Sequence, residues 1–286
     1  MKPAARKLAK WFRAILTAVV VSLVFWTVIL MIFEEQFIFF PAVYPDGIYE
    51  AEQRALHPED HWFKTEDNVQ LHGWFLRSPD TLGTIILFHG NAGNLSHRGE
   101  ILRRLRASGF DVFIFDYRGY GRSEGSPTEA GVYTDGHAAV RYVRSLSHVD
   151  SRRLFFFGSS LGGAVAIHVA ADQPPIGLIL ESTFSSARDV AASAYPFLPV
   201  QFFLRTRFDA ELKIRSLHIP LLFFHGTDDS IIPYRLGRKL FDAANPPKQF
   251  VDVPGAGHND VFLIGSNSYL EQIRTFCLES SRASIR

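Results

Sequence analysis

The apolar residues form one long stretch near the start of the chain and then a series of short ones. Residues 14–33 contain no charged side chain. As a helix they would be about 30 Å long, which matches the hydrocarbon core of a bilayer. A buried core helix is the alternative, but such helices rarely lack a polar face over about five turns. We therefore predict one transmembrane helix over residues 14–33.

The flanks of this stretch predict its orientation. Glu34 and Glu35 follow it, whereas the residues before it are basic without an acid among them: Lys2, Arg6, Lys7, Lys10 and Arg13. Because positive flanks stay cytoplasmic, residues 1–13 are predicted to be a cytoplasmic tail and the rest of the chain to be periplasmic, luminal or extracellular. A cleaved signal peptide is the alternative. Its apolar region usually spans only about 7–15 residues, so an uncleaved signal anchor is favoured.

Beyond a juxtamembrane connector at 34–59, short apolar runs alternate with segments of helical periodicity. This alternation is typical of a parallel sheet covered by helices and predicts an α/β domain over residues 60–280. The predicted strands are 62–65, 73–76, 84–88, 111–115, 154–157, 176–180, 221–224 and 250–253, of which the first two form a hairpin. The predicted helices are 98–107, 128–146, 161–171, 235–244 and 260–276.

Composition excludes several classes of protein. Of the 286 residues, 47% are hydrophobic and 21% are charged, so the chain has the material for a sizeable core. Thirty basic and 29 acidic residues give a net charge of +1, which argues against a nucleic-acid partner. The single cysteine, Cys277, excludes an intramolecular disulfide and a thiolate zinc site. Neither a metal-ligand spacing nor a G-x-G-x-x-G motif after the first strands is present, so no cofactor is implied.

A G-x-S-x-G pentapeptide at 158–162 follows the predicted strand 154–157 and begins a helix. A nucleophile on such a turn has strained backbone and needs small neighbours, which Gly158 and Gly162 supply. The helix N-terminus adds free N–H groups and a positive dipole. The pentapeptide alone is weak evidence, but its strand–turn–helix context is specific and predicts Ser160 as the nucleophile.

A serine nucleophile needs a base and a carboxylate that orients the base. His258 lies in a glycine-rich turn between the last strand and the last helix, at the edge of the sheet where ligands bind in open α/β folds. Asp228 and Asp229 follow the preceding strand, and Glu181 follows an earlier one. The residues by themselves leave the choice among these acids open.

Acyl transfer also needs two backbone N–H groups that stabilise the oxyanion. Leu161, directly after the nucleophile, is predicted to supply one of them. The loop at 89–94 is in the right place for the second, and Asn91 is its predicted donor. The same loop can also be a glycine-rich turn capped by Asn91 or Asn94, and the two interpretations are compatible.

Through five segments taken together, the chain resembles the membrane-anchored α/β-hydrolases of the abhydrolase-domain group. These proteins are serine hydrolases related to lysophospholipid lipases and protein depalmitoylases. The segments are HGNAGN at 89–94, DYRGYGRS at 116–123, GSSLG at 158–162, HGTDD at 225–229 and GH at 257–258. The resemblance implies a mostly parallel eight-stranded sheet with helices on both faces. It also implies a Ser160–Asp229–His258 triad, because the acid of this group is the fifth residue of the His-Gly segment.

In this fold an insertion such as 185–216 is a small cap over the nucleophile. Its aromatic residues would form an acyl-binding wall or simply pack between helices; they are Tyr195, Phe197, Phe202, Phe203 and Phe208. The predicted function is cleavage of carboxylic esters, including lipid esters and thioesters, by a serine hydrolase anchored through residues 14–33. A serine peptidase with the same triad and a non-catalytic membrane scaffold are the alternatives. Dehalogenase and epoxide-hydrolase reactions are disfavoured, because those relatives have Asp at the position of Ser160.

Overall fold

The computed structural model describes residues 3–196 and 199–284, so Lys2 and Phe197 lie outside the described residues. The helices are α1 (Pro3–Ile32), α2 (Glu34–Ile38), α3 (Tyr49–Leu56), α4 (Gly99–Ala107), α5 (Glu129–Ser145), α6 (Leu161–Asp172), α7 (Ala187–Ala194), α8 (Ala210–Ile214), α9 (Tyr234–Ala243), α10 (Val261–Ile264) and α11 (Ser266–Ser284). The strands are β1 (Phe40–Pro41), β2 (Glu59–Lys64), β3 (Gln70–Leu76), β4 (Thr84–Phe88), β5 (Ala92–Gly93), β6 (Asp111–Phe115), β7 (Leu154–Ser159), β8 (Gly177–Glu181), β9 (Leu221–Gly226) and β10 (Lys248–Val253).

Helix α1 contains the long apolar stretch. By length and composition its segment Lys7–Ile29 can cross a membrane, and none of the most apolar window is buried within the molecule. An apolar surface of this size is unfavourable in water. The helix therefore qualifies as a signal anchor or a membrane span.

The core of the molecule is an eight-stranded sheet in the order β10–β9–β8–β7–β4–β6–β3–β2. Strand β3 is antiparallel to both β2 and β6. All other neighbouring pairs of this sheet, β6–β4, β4–β7, β7–β8, β8–β9 and β9–β10, are parallel. Strands β4, β6 and β8 are buried along their whole length, as expected where helices cover both faces. The mostly parallel sheet and its N-terminal hairpin, predicted from the sequence, are confirmed.

Two apolar clusters cover the two faces of the sheet. Alternate residues of β4 join different clusters: Ile86 packs with α5, α6 and α9, whereas Ile85 packs with α4 and α11. The predicted helix 260–276 is instead two helices, α10 and α11. The break lies between Ile264 and Ser266. Ser266 has a left-handed φ of 52°, which a continuous helix does not allow.

The connector 34–59 packs closely on the α/β domain. Strand β1 pairs with β5, and the Asn91 side-chain amide donates to the Ile38 carbonyl oxygen at 2.7 Å. The Asn94 amide donates to the Ala42 and Asp46 carbonyl oxygens at 2.9 and 2.8 Å. Because Asn91 and Asn94 belong to the loop after β4, these bonds hold the end of α1 close to the carboxyl edge of the sheet.

Candidate active site

Ser160 lies on a strained turn between β7 and α6, with φ 52° and ψ −120°. A Cβ atom at Gly158 would lie 2.5 Å from the Gly163 Cα, and one at Gly162 would lie 2.0 Å from the Phe88 carbonyl oxygen. Side chains larger than hydrogen are therefore excluded at both positions. The turn holds the Ser160 hydroxyl at the carboxyl edge of the sheet, beside the N-terminus of α6.

The predicted nucleophile, base and acid form one hydrogen-bonded chain. The His258 Nε2 lies 3.0 Å from the Ser160 Oγ, and the His258 Nδ1 lies 2.7 Å from the Asp229 Oδ2. When Nδ1 donates its proton to Asp229, the Nε2 lone pair faces the serine hydroxyl, which is the tautomer that can accept its proton. The structure thus brings Ser160, His258 and Asp229 together from the ends of three different strands.

The geometry shows which of the three candidate carboxylates contacts His258. Asp229 is buried and bonds to His258, whereas Asp228 is exposed and accepts a hydrogen bond from the Thr227 hydroxyl. Glu181 is also buried, but it accepts from the Tyr269 hydroxyl at 2.6 Å and is not bonded to His258. Asp229 is therefore the carboxylate placed to orient the imidazole.

The environment of Asp229 keeps it ionised. Its Oδ1 accepts the N–H groups of Ile231 and Ile232 at 2.9 and 2.8 Å. Burial opposes ionisation, yet hydrogen bonds from His225, His258 and the Ile232 N–H hold the Asp229 pKa well below its usual range. The His225 Nε2 also donates to the Ile232 carbonyl oxygen at 2.9 Å. Sequence reasoning missed this role of His225, although it begins the HGTDD segment.

The two predicted oxyanion donors border Ser160. Leu161 is the first residue of α6, so its N–H has no acceptor within the helix. The Asn91 carbonyl oxygen accepts from the Phe40 N–H and the Tyr120 hydroxyl, which fixes the loop. In the described part of the chain the Asn91 backbone N–H donates no hydrogen bond. Asn91 and Leu161 line the apolar cavity together with Ser160.

Two cavities meet at Ser160. The first, about 340 Å³, is mostly apolar and lies between the cap and the juxtamembrane segment; its lining includes Thr27, Met31, Phe37, Tyr195, Phe203 and Phe208. The second, about 380 Å³, is more polar, and its lining includes His97, Arg98, Glu181, His258 and Asn259. Three of the cap aromatics, Tyr195, Phe203 and Phe208, line the apolar cavity, whereas Phe202 does not. Within residues 3–196 and 199–284, no three His, Cys, Asp or Glu side chains are arranged to hold a metal ion.

Comparisons with known proteins identify the family of the chain. A family model described as "Serine aminopeptidase, S33" matches residues 79–206. The uncharacterized protein Rv2307c of Mycobacterium tuberculosis is 38% identical over 275 residues, which cover 94% of this chain and 96% of that protein. The alpha/beta hydrolase domain-containing protein WAV2 of Arabidopsis thaliana is 33% identical over 268 residues, 84% of this chain and 86% of WAV2. The chain belongs to the α/β-hydrolase family.

A solved structure supports the same fold for this α/β hydrolase. The Pyrococcus furiosus esterase Pf2001 superposes with a TM-score of 0.70 at 19% identity and covers 84% of this chain and 96% of its own. The predicted α/β-hydrolase fold is thereby confirmed. Membership of the family indicates a hydrolytic enzyme. The segment of the chain that matches the family model includes Ser160 but ends before Asp229 and His258.

Proposed function

We propose that this α/β hydrolase is a membrane-tethered serine esterase that cleaves carboxylic esters, lipid esters and thioesters among them, through an acyl-enzyme. The observation that carries the proposal is the hydrogen-bonded chain from Asp229 through His258 to Ser160, located where two cavities meet. A buried carboxylate, an imidazole of the right tautomer and a hydroxyl at hydrogen-bonding distance are the groups that acyl transfer requires.

The reaction proceeds by two additions to the acyl carbon. The Ser160 Oγ attacks the ester carbonyl while the His258 Nε2 takes the hydroxyl proton, and the Leu161 and Asn91 N–H groups donate to the resulting oxyanion. Collapse expels the alcohol or thiol, which receives that proton from His258, and leaves the acyl group on Ser160. Water then adds in the same way, loses its proton to His258 and releases the carboxylic acid and the free serine.

The apolar cavity supports a substrate with an acyl chain. It extends from Ser160 to Thr27 and Met31 near the end of α1, with Phe203 and Phe208 of the cap on its wall. Each buried CH₂ group contributes about 0.8 kcal/mol, or roughly fourfold in kcat/KM. Because Thr27 also lies within the candidate membrane span, a lipid chain can enter the cavity without crossing water.

An aminopeptidase is the second candidate, favoured by the description of the matching family model. Such an enzyme has to bind the α-ammonium group of its substrate, usually with a free carboxylate. Two carboxylates line the polar cavity. Glu100 is paired with Arg103 and Arg104, and burial raises the pKa of Glu181, which favours its neutral form. These contacts favour the esterase.

The test is covalent labelling with a fluorophosphonate probe, followed by turnover of p-nitrophenyl esters and amino-acid p-nitroanilides. We expect the intact chain to be labelled, Ser160→Ala to remain unlabelled, and ester turnover to fall by a factor on the order of 10⁴ in that variant. Turnover of anilides without esters would favour the aminopeptidase. A folded intact chain that resists labelling would support the scaffold instead, and labelling that survives Ser160→Ala would place the nucleophile elsewhere.

A further inference from the structure

The polar cavity beside Ser160 holds an arginine with little to neutralise its charge. The Arg98 guanidinium donates a hydrogen bond to the Ala92 carbonyl oxygen, and its buried Nε has no partner in the described part of the chain. Asp116 and Glu181 act on it electrostatically, but within residues 3–196 and 199–284 no carboxylate forms an ion pair with it. Burial lowers the Arg98 pKa, as expected for a cation removed from water.

The carboxylates of this cavity do not supply a counterion. Glu100 is bound by Arg103 and Arg104 on the next turns of α4. Glu181 is buried and has a raised pKa. Asp116, the other carboxylate that acts on Arg98, does not line the cavity and accepts hydrogen bonds from two other groups. Arg98 therefore leaves the cavity with a positive charge that is only partly solvated, which is unfavourable until an anion binds.

The position of His258 indicates which half of an ester enters this cavity. His258 returns its proton to the leaving oxygen, so the leaving group has to lie on the His258 side of the acyl carbon. His258 lines the polar cavity and is not among the residues that line the apolar one. With the acyl chain beside Phe203 and Phe208, the alcohol half extends toward Arg98.

We propose that Arg98 binds an oxyanion carried by the leaving group, so that the preferred substrate joins an apolar acyl chain to a phosphate-bearing alcohol. This inference rests on the proposed acyl-enzyme function. A guanidinium presents parallel N–H groups that match the oxygens of a phosphate, and the bond to Ala92 holds it beside the loop that contains Asn91.

The test compares two substrates with the same acyl chain in neutral detergent micelles, a 1-acyl-glycerol and the corresponding 1-acyl-glycerol 3-phosphate. The readout is the ratio of kcat/KM for the phosphate ester to kcat/KM for the neutral ester. Arg98→Gln should lower this ratio by about tenfold or more, because a charge-assisted hydrogen bond is lost. Arg98→Lys should restore part of it. Arg106→Gln, which removes a charge from α4 at a residue that neither lines the cavity nor pairs with its carboxylates, should keep the ratio of the intact chain.

A second measurement uses only the intact chain and needs no variant to fold. Glycerol 3-phosphate should slow fluorophosphonate labelling of Ser160 more than glycerol does, and more than inorganic phosphate at the same concentration. Equal protection by all three compounds, or a substrate ratio unchanged in Arg98→Gln, would overturn the anion site while leaving the hydrolase proposal intact. If the intact chain is neither labelled nor active on the neutral ester, the proposed function itself is wrong.

Discussion

Asp228 and Asp229 are neighbours in sequence, yet the turn after β9 directs them to different surroundings. The Asp229 Oδ1 accepts two N–H groups of the following turn, while its Oδ2 faces His258. The Asp228 N–H bonds to the Ala256 carbonyl oxygen, and its carboxylate stays exposed. The conformation of the turn therefore determines that Asp229, and not Asp228, contacts His258.

Exchanging each of these carboxylates for an amide tests that selection. Asp229→Asn should lower kcat for ester hydrolysis by about 10³–10⁴-fold, because the amide no longer stabilises the imidazolium or fixes the tautomer of His258. Asp228→Asn is the matched control and should stay within about threefold, as expected for an exposed substitution. Steady-state kinetics on one p-nitrophenyl ester, with thermal unfolding to verify both folds, provides the measurement. Similar losses in the two variants would contradict the role of Asp229.

The sequence alone predicts those residues of the site that belong to a local motif. Ser160 is predictable because its neighbours, Gly158 and Gly162, are needed by the turn itself. His225 and Arg98 escape prediction for different reasons. The partners of His225 are only four and seven residues away, but the path of the turn after β9 decides whether they meet. The surroundings of Arg98 come from distant segments. His225 supports Asp229 from the end of β9, and Arg98 is defined by the cavity that it shares with Glu181 and His258.

Among the secondary-structure elements, the strands and the helices over the sheet follow from apolar periodicity, whereas the connector and the cap do not. The Glu34 carboxylate, at the start of α2, accepts the backbone N–H groups of Arg205 and Thr206 at 3.2 and 2.6 Å. These partners are 171 and 172 residues away in sequence. No local pattern encodes such a contact, so the way the cap meets α2 could not be predicted.

Removing the Glu34 carboxylate should loosen the cap. In Glu34→Ala the N–H groups of Arg205 and Thr206 lose their acceptor, so we expect amide hydrogen exchange in 203–208 to accelerate by about tenfold or more. Glu35→Ala is the control, because Glu35 is exposed. Hydrogen-exchange mass spectrometry of both variants in detergent measures the effect. Unchanged exchange in Glu34→Ala would show that the cap is held by its apolar contacts.

The same contact should depend on pH in a defined direction. Burial opposes ionisation of Glu34, but its bonds to Thr206 and Arg205 lower its pKa overall. A lowered pKa contributes stability that is present above the usual glutamate value of about 4.3 and is lost as the pH falls below it. The difference in exchange between the intact chain and Glu34→Ala should therefore shrink below about pH 4.

On the scale of the whole molecule, the sheet, the cap and α1 converge on one end of the apolar helix. Ser160 lies at the carboxyl edge of the sheet, and the cavity that leads from it reaches Thr27 and Met31. Lys7, Lys10 and Arg13 lie toward the opposite end of the helix. If α1 spans a bilayer, the site is located at the membrane surface on the side opposite to the basic residues.

We therefore propose, and predict for the membrane-inserted chain, that the catalytic domain faces the periplasm, the lumen or the cell exterior, because basic flanks are retained in the cytoplasm. Protease added to sealed right-side-out vesicles should digest a C-terminal tag and spare an N-terminal tag, and inside-out vesicles should give the reverse.

Replacing Lys7, Lys10 and Arg13 with glutamine should produce mixed orientations, since little positive charge would remain to retain that flank. Digestion of the C-terminal tag only from the cytoplasmic side would overturn the orientation. Release of the chain by alkaline carbonate would instead rule out the span, and lipid esters would then have to reach the apolar cavity from water.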